Sequence, residues 1–161
     1  MNIFHLSDSP VLSAQYQHDK HVVKMTLETA QLVSQAIRKR PDWWELCDDN
    51  IHLYQSTHIH HPSSVWTRAT ANNLRWLCAH GLALADEYSY RFYRDHKSRR
   101  IIQIAQDLCD KLPSDELTPF AMAMPVHYKT DDPVLSYRLY YLGEKIKDDS
   151  NWTRRRRDLP D

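Results

Sequence analysis

The stretch 20-KHVVKMTLETAQLVSQAIRKR-40 decides the fold. It contains neither Gly nor Pro, and its aliphatic residues recur at three- and four-residue spacing, which predicts one long α-helix over 20–39. Asp19 can cap that helix and Pro41 ends it. At about 100° per residue, Val22, Val23, Leu27, Ala30, Val33 and Ile37 cover one side. Met25, Leu32 and Ala36 form a second apolar margin. Lys24, Glu28, Gln31 and Gln35 fall in a line within roughly one sixth of the circumference, with His21 at its edge. Apolar margins on both sides place this line against a slot rather than open water. An amine and a carboxylate held there tune each other's proton affinity, which suits proton transfer or covalent chemistry. The plain alternative is a Lys24–Glu28 i, i+4 pair in the less favourable order, worth about 0.3 kcal/mol.

Working outward, Asp8-Ser9-Pro10 starts a short helix that reaches about Gln17. Residues 41–61 are polar, aromatic and irregular, with room for one short helix. His61-Pro62-Ser63 opens a long helix to about Arg94, and 98–112 forms another. Three prolines in 113–131 predict an ordered loop, after which Asp132-Pro133 begins the last helix. The tail is expected to be extended, anchored by Trp152. The expected fold is all-α: a compact single-domain bundle of about five helices spanning 1–161, with a long ordered loop before the last helix.

Composition narrows the function. Only Gly81 and Gly143 occur, which excludes Gly-rich phosphate loops and argues against a turn-rich β fold. Lys plus Arg equals Asp plus Glu at 21 each, but the charge is segregated, with basic clusters at 38–40, 91–100 and 154–157. Three widely spaced cysteines fit a reduced chain, and no signal peptide or membrane span is read, so a cytoplasmic location is expected. His58, His60 and His61 lie close together but lack the further ligands that a metal site needs, so neither metal nor cofactor is expected. Rings interleaved with cations at 86–100 fit nucleic acid. Glu87 and Arg91 also form an ordinary i, i+4 pair.

The pieces Asn2-x-Phe4, Asp19-Lys20-His21-x-x-Lys24-x-x-x-Glu28-x-x-Gln31, His61-Pro62-x-x-x-Trp66 and Glu87-Tyr88-x-x-Arg91 together resemble a known family. It is that of the pyrimidine-dimer DNA glycosylases, the endonuclease V type of bacteriophage. The likeness is greatest to phage-encoded members of unassigned function that also carry Pro119-Phe120, Met124-Pro125, Tyr128-Lys129 and Tyr137-x-x-Tyr140-Tyr141. The resemblance implies a compact helical fold and glycosylase/AP-lyase activity on double-stranded DNA, in host cytoplasm for a phage protein. It implies an essential acid at Glu28 and an α-amine nucleophile. In the family that amine is exposed by Met removal before a small residue. Asn2 departs from this, leaving Met1, Lys24 or Lys20 as the amine, or a branch that has lost lyase chemistry. The expected catalytic set is therefore Glu28, Lys24, His21 and Met1. Expected substrate or DNA contacts are Lys20, Gln31, His61, Trp66, Arg91, His96, Lys97, Arg154 and Arg155. No obligate protein partner is inferred. Competing readings are a phage enzyme that modifies or hydrolyses nucleotides or DNA bases, and a non-catalytic DNA-binding module. An HD-like phosphohydrolase on His18-Asp19 ranks last, because its other ligands are missing.

Overall fold

The computed structural model describes residues 1–146, 152, 154, 155 and 157. Among them the elements are α1 (Pro10–Tyr16), α2 (Asp19–Lys39), α3 (Pro41–Trp44), α4 (Pro62–Ala69), α5 (Ala71–Phe92), α6 (Arg99–Cys109) and α7 (Pro133–Tyr140). A 3-10 turn (Val126–Tyr128) precedes α7, a π turn (Tyr141–Lys145) follows it, and no strand occurs among the described residues. The class is all-α, with seven helices rather than about five. One of the two extra helices is the turn at Pro41–Trp44. The other comes from the predicted 61–94 helix, which breaks at Thr70. There the backbone is extended (φ −140°, ψ 158°) and the Thr70 hydroxyl caps the Asn73 amide.

The centre is α2 against α5, with α1 and α6 on α5 and α4 on α2. Gly81 sets the closeness of the centre, since a Cβ there would meet Thr29 Cγ2 at 2.5 Å and Ile102 Cδ1 at 3.0 Å. Val22, Ala30, Leu32, Val33 and Ile37 are fully buried with Leu74, Leu77, Ile101 and Ile102. Val23 and Leu27 are not on the buried side: they are 38% and 39% exposed, beside exposed Lys20 and Lys24. On that face His96 Nε2 reaches the Val23 carbonyl.

Residues 1–6 form a buried plug. Gln17 Nε2 donates to the Ile3 carbonyl, while Ser13 Oγ donates to Phe4 O at 3.0 Å and receives the Leu6 amide at 2.9 Å. These bonds hold Phe4 at φ 58°, a conformation that costs a bulky residue about 1–3 kcal/mol. His80 locks the plug from α5: its Nδ1 donates to Pro10 O at 3.0 Å, and its Nε2 accepts from Gln17 at 3.2 Å. The loop before α7 is ordered, as its prolines predicted. Asp115 accepts from the first amides of α5, Thr118 and Asn73 pair reciprocally, and the Tyr137 hydroxyl binds Ala121 O and Ala123 N.

Candidate active site

The polar line on α2 runs from the surface into the interior. The Lys24 side chain is 65% exposed and that of Glu28 12%. His21 and Gln31 are half-buried, and Gln35 is buried. Lys24 Nζ lies 3.6 Å from Glu28 Oε1, a loose pair of the sort worth little at a surface. The other Glu28 oxygen is the informative one. It accepts the backbone N–H of Asn2 at 3.0 Å. The plug thus delivers the first peptide bond of the chain to a carboxylate 26 residues away. Asn2 fixes the approach, since its Nδ2 donates to Ala123 O at 2.9 Å and its Oδ1 accepts the Ile3 amide at 2.8 Å. Covalent geometry keeps the α-amine of Met1 within about 4 Å of the Asn2 nitrogen.

His61 closes the other side. It caps α4 by accepting the Ser63 amide at Nδ1. Burial lowers its pKa; the charges of the chain's α-amine and His58 add to this, while Glu28 pushes the opposite way. At the inner end, Gln35 Oε1 accepts from Ser64 Oγ, while Gln35 Nε2 and Ser63 Oγ lack protein partners. The first peptide N–H thus meets the Glu28 carboxylate, His61 lies close enough to feel both Glu28 and the α-amine, and buried Gln35 and Ser63 carry unpartnered groups farther along the line.

The outer end is aromatic. His21 stacks on Phe4 at 4.5 Å and on His18 at 4.0 Å. The Tyr141 hydroxyl receives the His18 amide at 3.0 Å and lies 2.8 Å from His21 Nδ1. A phenol that donates there leaves the ring proton on Nε2, free to donate in turn. Burial pulls His21 down to about 3, helped by the neighbouring His18, Lys145 and Lys24 charges. His18 falls to about 4 and His80 to about 4, burial leading in both. These rings are neutral in the fold, so the unfolded chain gains protons first as pH falls below the ordinary 6.5. Stability is flat above that value and declines from 6.5 toward 4. The thermal midpoint is expected to be several degrees lower at pH 4.5 than at pH 7.5 by calorimetry. An unchanged midpoint contradicts this protonation state.

Two expected DNA contacts, Arg91 and Trp66, are spent inside the protein, and a third, His96, is half-buried. Arg91 is 1% exposed. Its guanidinium pairs with Glu87 at 2.8 Å and Asp19 at 3.2 Å, and donates to Gln17 O and Gln15 O. It is a cross-brace of the α1–α2 turn. Trp66 is 5% exposed, with its indole N–H on Thr118 O and its ring against His5, Trp76 and Phe120. His96 engages both ring nitrogens, with Val23 O and the Ser98 amide. The His18-Asp19 pair is likewise structural, capping α2 and bracing Arg91. Lys20, Lys97, Arg154 and Arg155 are exposed. Trp152 is buried edge-on to His18, and the Arg155 guanidinium lies 3.9 Å over the Tyr90 ring. Tyr141 is marked in the sequence only as part of Tyr137-x-x-Tyr140-Tyr141, with no role attached, and Lys145 carries no local signal. The Lys145 ammonium hangs 5.0 Å over Tyr140 and 6.0 Å over Phe4, beside the His21 stack.

A family profile described as pyrimidine dimer DNA glycosylase matches residues 1–101, more than half of the chain. The chain belongs to this family. The match covers the plug, α2, α4 and α5, and therefore the Asn2–Glu28 contact and His61. It stops before the proline-rich loop, α7 and the π turn, which supply Ala123 to the Asn2 side chain and Tyr141 and Lys145 to the His21 and Phe4 rings. Comparison with curated proteins and with solved structures returned no match. No described helix is long and apolar enough to cross a membrane.

Proposed function

We propose that this protein is a DNA glycosylase that cleaves the N-glycosidic bond of damaged or modified pyrimidines through its N-terminal α-amine, with Glu28 as the essential acid. The observation that carries the reading is the 3.0 Å bond from the Asn2 backbone nitrogen to Glu28 Oε2. It sets the start of the chain against the one carboxylate on the α2 line. The unprotonated amine attacks C1′ of the deoxyribose as the C1′–N bond breaks. The base leaves with that electron pair and takes up a proton. Glu28 stabilises the positive charge that develops on the sugar and accepts the proton shed by the amine. Ring opening yields an imine to the enzyme. Hydrolysis of the imine ends the cycle, and β-elimination from it breaks the strand. His61 and the Nε2–H of His21 position sugar and phosphate, and Gln31 borders the base. The target nucleotide reaches Glu28 by leaving the stack. Exposed Lys20, Lys24, Lys97, Arg154 and Arg155 hold the duplex by its phosphates.

The test is incubation with duplexes carrying ultraviolet photoproducts, uracil or 5-substituted pyrimidines, with and without borohydride. Base release together with a trapped protein–DNA adduct is expected. The absence of both across the panel overturns the reading. Altered free nucleotides with intact polymer would assign the site to nucleotide chemistry instead.

A further inference from the structure

Two exposed apolar side chains sit on turns that touch each other. Val126 is 80% exposed and Leu142 65%. A lone exposed valine is ordinary on a protein surface; what distinguishes this one is how firmly it is presented, and where. Pro125 precedes it, and the 3-10 turn is closed by the Tyr128 amide on Pro125 O and the Lys129 amide on Val126 O. The Tyr128 ring is wedged against Gly143 of the π turn, so closely that a Cβ on Gly143 would lie 2.5 Å from its hydroxyl. Tyr128 also packs on Tyr140 at 5.4 Å. The tip is therefore rigid and joined to the turn that carries Leu142 and Lys145.

Its position is tied to the chemistry. Ala123, three residues before Val126, accepts the Asn2 side chain whose own backbone nitrogen binds Glu28. Three residues span at most about 11 Å, a few base steps of one strand. Exposed His127 and Lys129 flank the valine, Lys145 lies on the π turn behind it, and exposed Glu144 of that turn is tied to the Tyr128 hydroxyl. A small convex apolar point beside two lysines does not fit a protein partner, which needs a broad apolar patch. It fits a base stack lined by phosphates, where an apolar wedge unstacks one step and kinks the duplex.

We infer that Val126 is a DNA wedge, entering the stack beside the nucleotide whose sugar lies at Glu28 while Lys129 takes a flanking phosphate. This rests on the glycosylase reading and adds to it the means of extruding the target. The segment lies outside the residues matched by the family profile.

The experiment uses the full chain and a duplex with a tetrahydrofuran abasic analogue and 2-aminopurine as its neighbour. Wild-type binding is expected to raise 2-aminopurine emission severalfold as the neighbour unstacks. V126A should lose more than half of that rise and V126L should keep it, with thermal midpoints and affinity for undamaged duplex unchanged. Equal emission for V126A and wild type, or wild-type binding with no rise, overturns the wedge and leaves the glycosylase reading standing. A wild-type chain that fails to bind the abasic duplex removes both.

Discussion

Glu28→Gln is expected to lower the single-turnover rate of base release about a thousandfold, the size of effect that follows loss of a positioned acid or charge stabiliser. The substitution is close to isosteric, and the amide oxygen can still accept the Asn2 N–H now held at 3.0 Å. The plug should therefore stay in place and the fold should survive. What disappears is the negative charge that faces the developing cation and takes the amine's proton. Binding to an abasic duplex should persist or strengthen slightly, because one anion fewer faces the phosphates. A rate within tenfold of wild type, measured with excess enzyme, would remove Glu28 from the chemistry.

The second large effect concerns stability. Arg91→Ala should cost about 3 kcal/mol, read as a shift of the urea midpoint at unchanged slope. The change strands Glu87, which is 2% exposed, leaving it the Arg157 contact at 2.9 Å. It also removes the donors held by the Gln15 and Gln17 carbonyls at the α1–α2 turn. Lysine should not rescue it, because one ammonium cannot reach four acceptors on three sides. The salt dependence of DNA binding should not change in protein that remains folded. A stable variant with a shallower salt slope would return Arg91 to the DNA surface.

Arg91 also shows where the sequence is readable and where it is not. Its i, i+4 relation to Glu87 is visible in the chain, and that pair is present. Its burial is not visible, because the carbonyls that saturate it come from residues 74 and 76 positions earlier. The polar line on α2 was legible from helical spacing alone. Its tilt from surface to interior was not: Val23 and Leu27 look like core residues in any periodic reading, yet each keeps more than a third of its surface exposed. The break at Thr70 was hidden because apolar spacing continues across it, although a Thr three residues before Asn73 is a capping signal. The meeting of Asn2 with Glu28 depends on a plug held by Ser13, Gln17 and His80, none of which marks itself by spacing. The resemblance pointed to that meeting through the family's α-amine and acid. It included Tyr141 in the shared Tyr137-x-x-Tyr140-Tyr141 pattern without a role and gave no hint for Lys145, and both come from beyond the residues matched by the profile.

The most direct measurement maps the trapped adduct. After borohydride reduction on a damaged duplex, the DNA is digested to a single sugar remnant and the protein to peptides, and the modified nitrogen is located by mass spectrometry. The expected result is one remnant on the α-amine of the N-terminal peptide, lost in Glu28→Gln. A remnant on Lys24 or Lys20, or an adduct that forms undiminished without the Glu28 carboxylate, contradicts the assignment of the amine–Glu28 pair as the reacting centre.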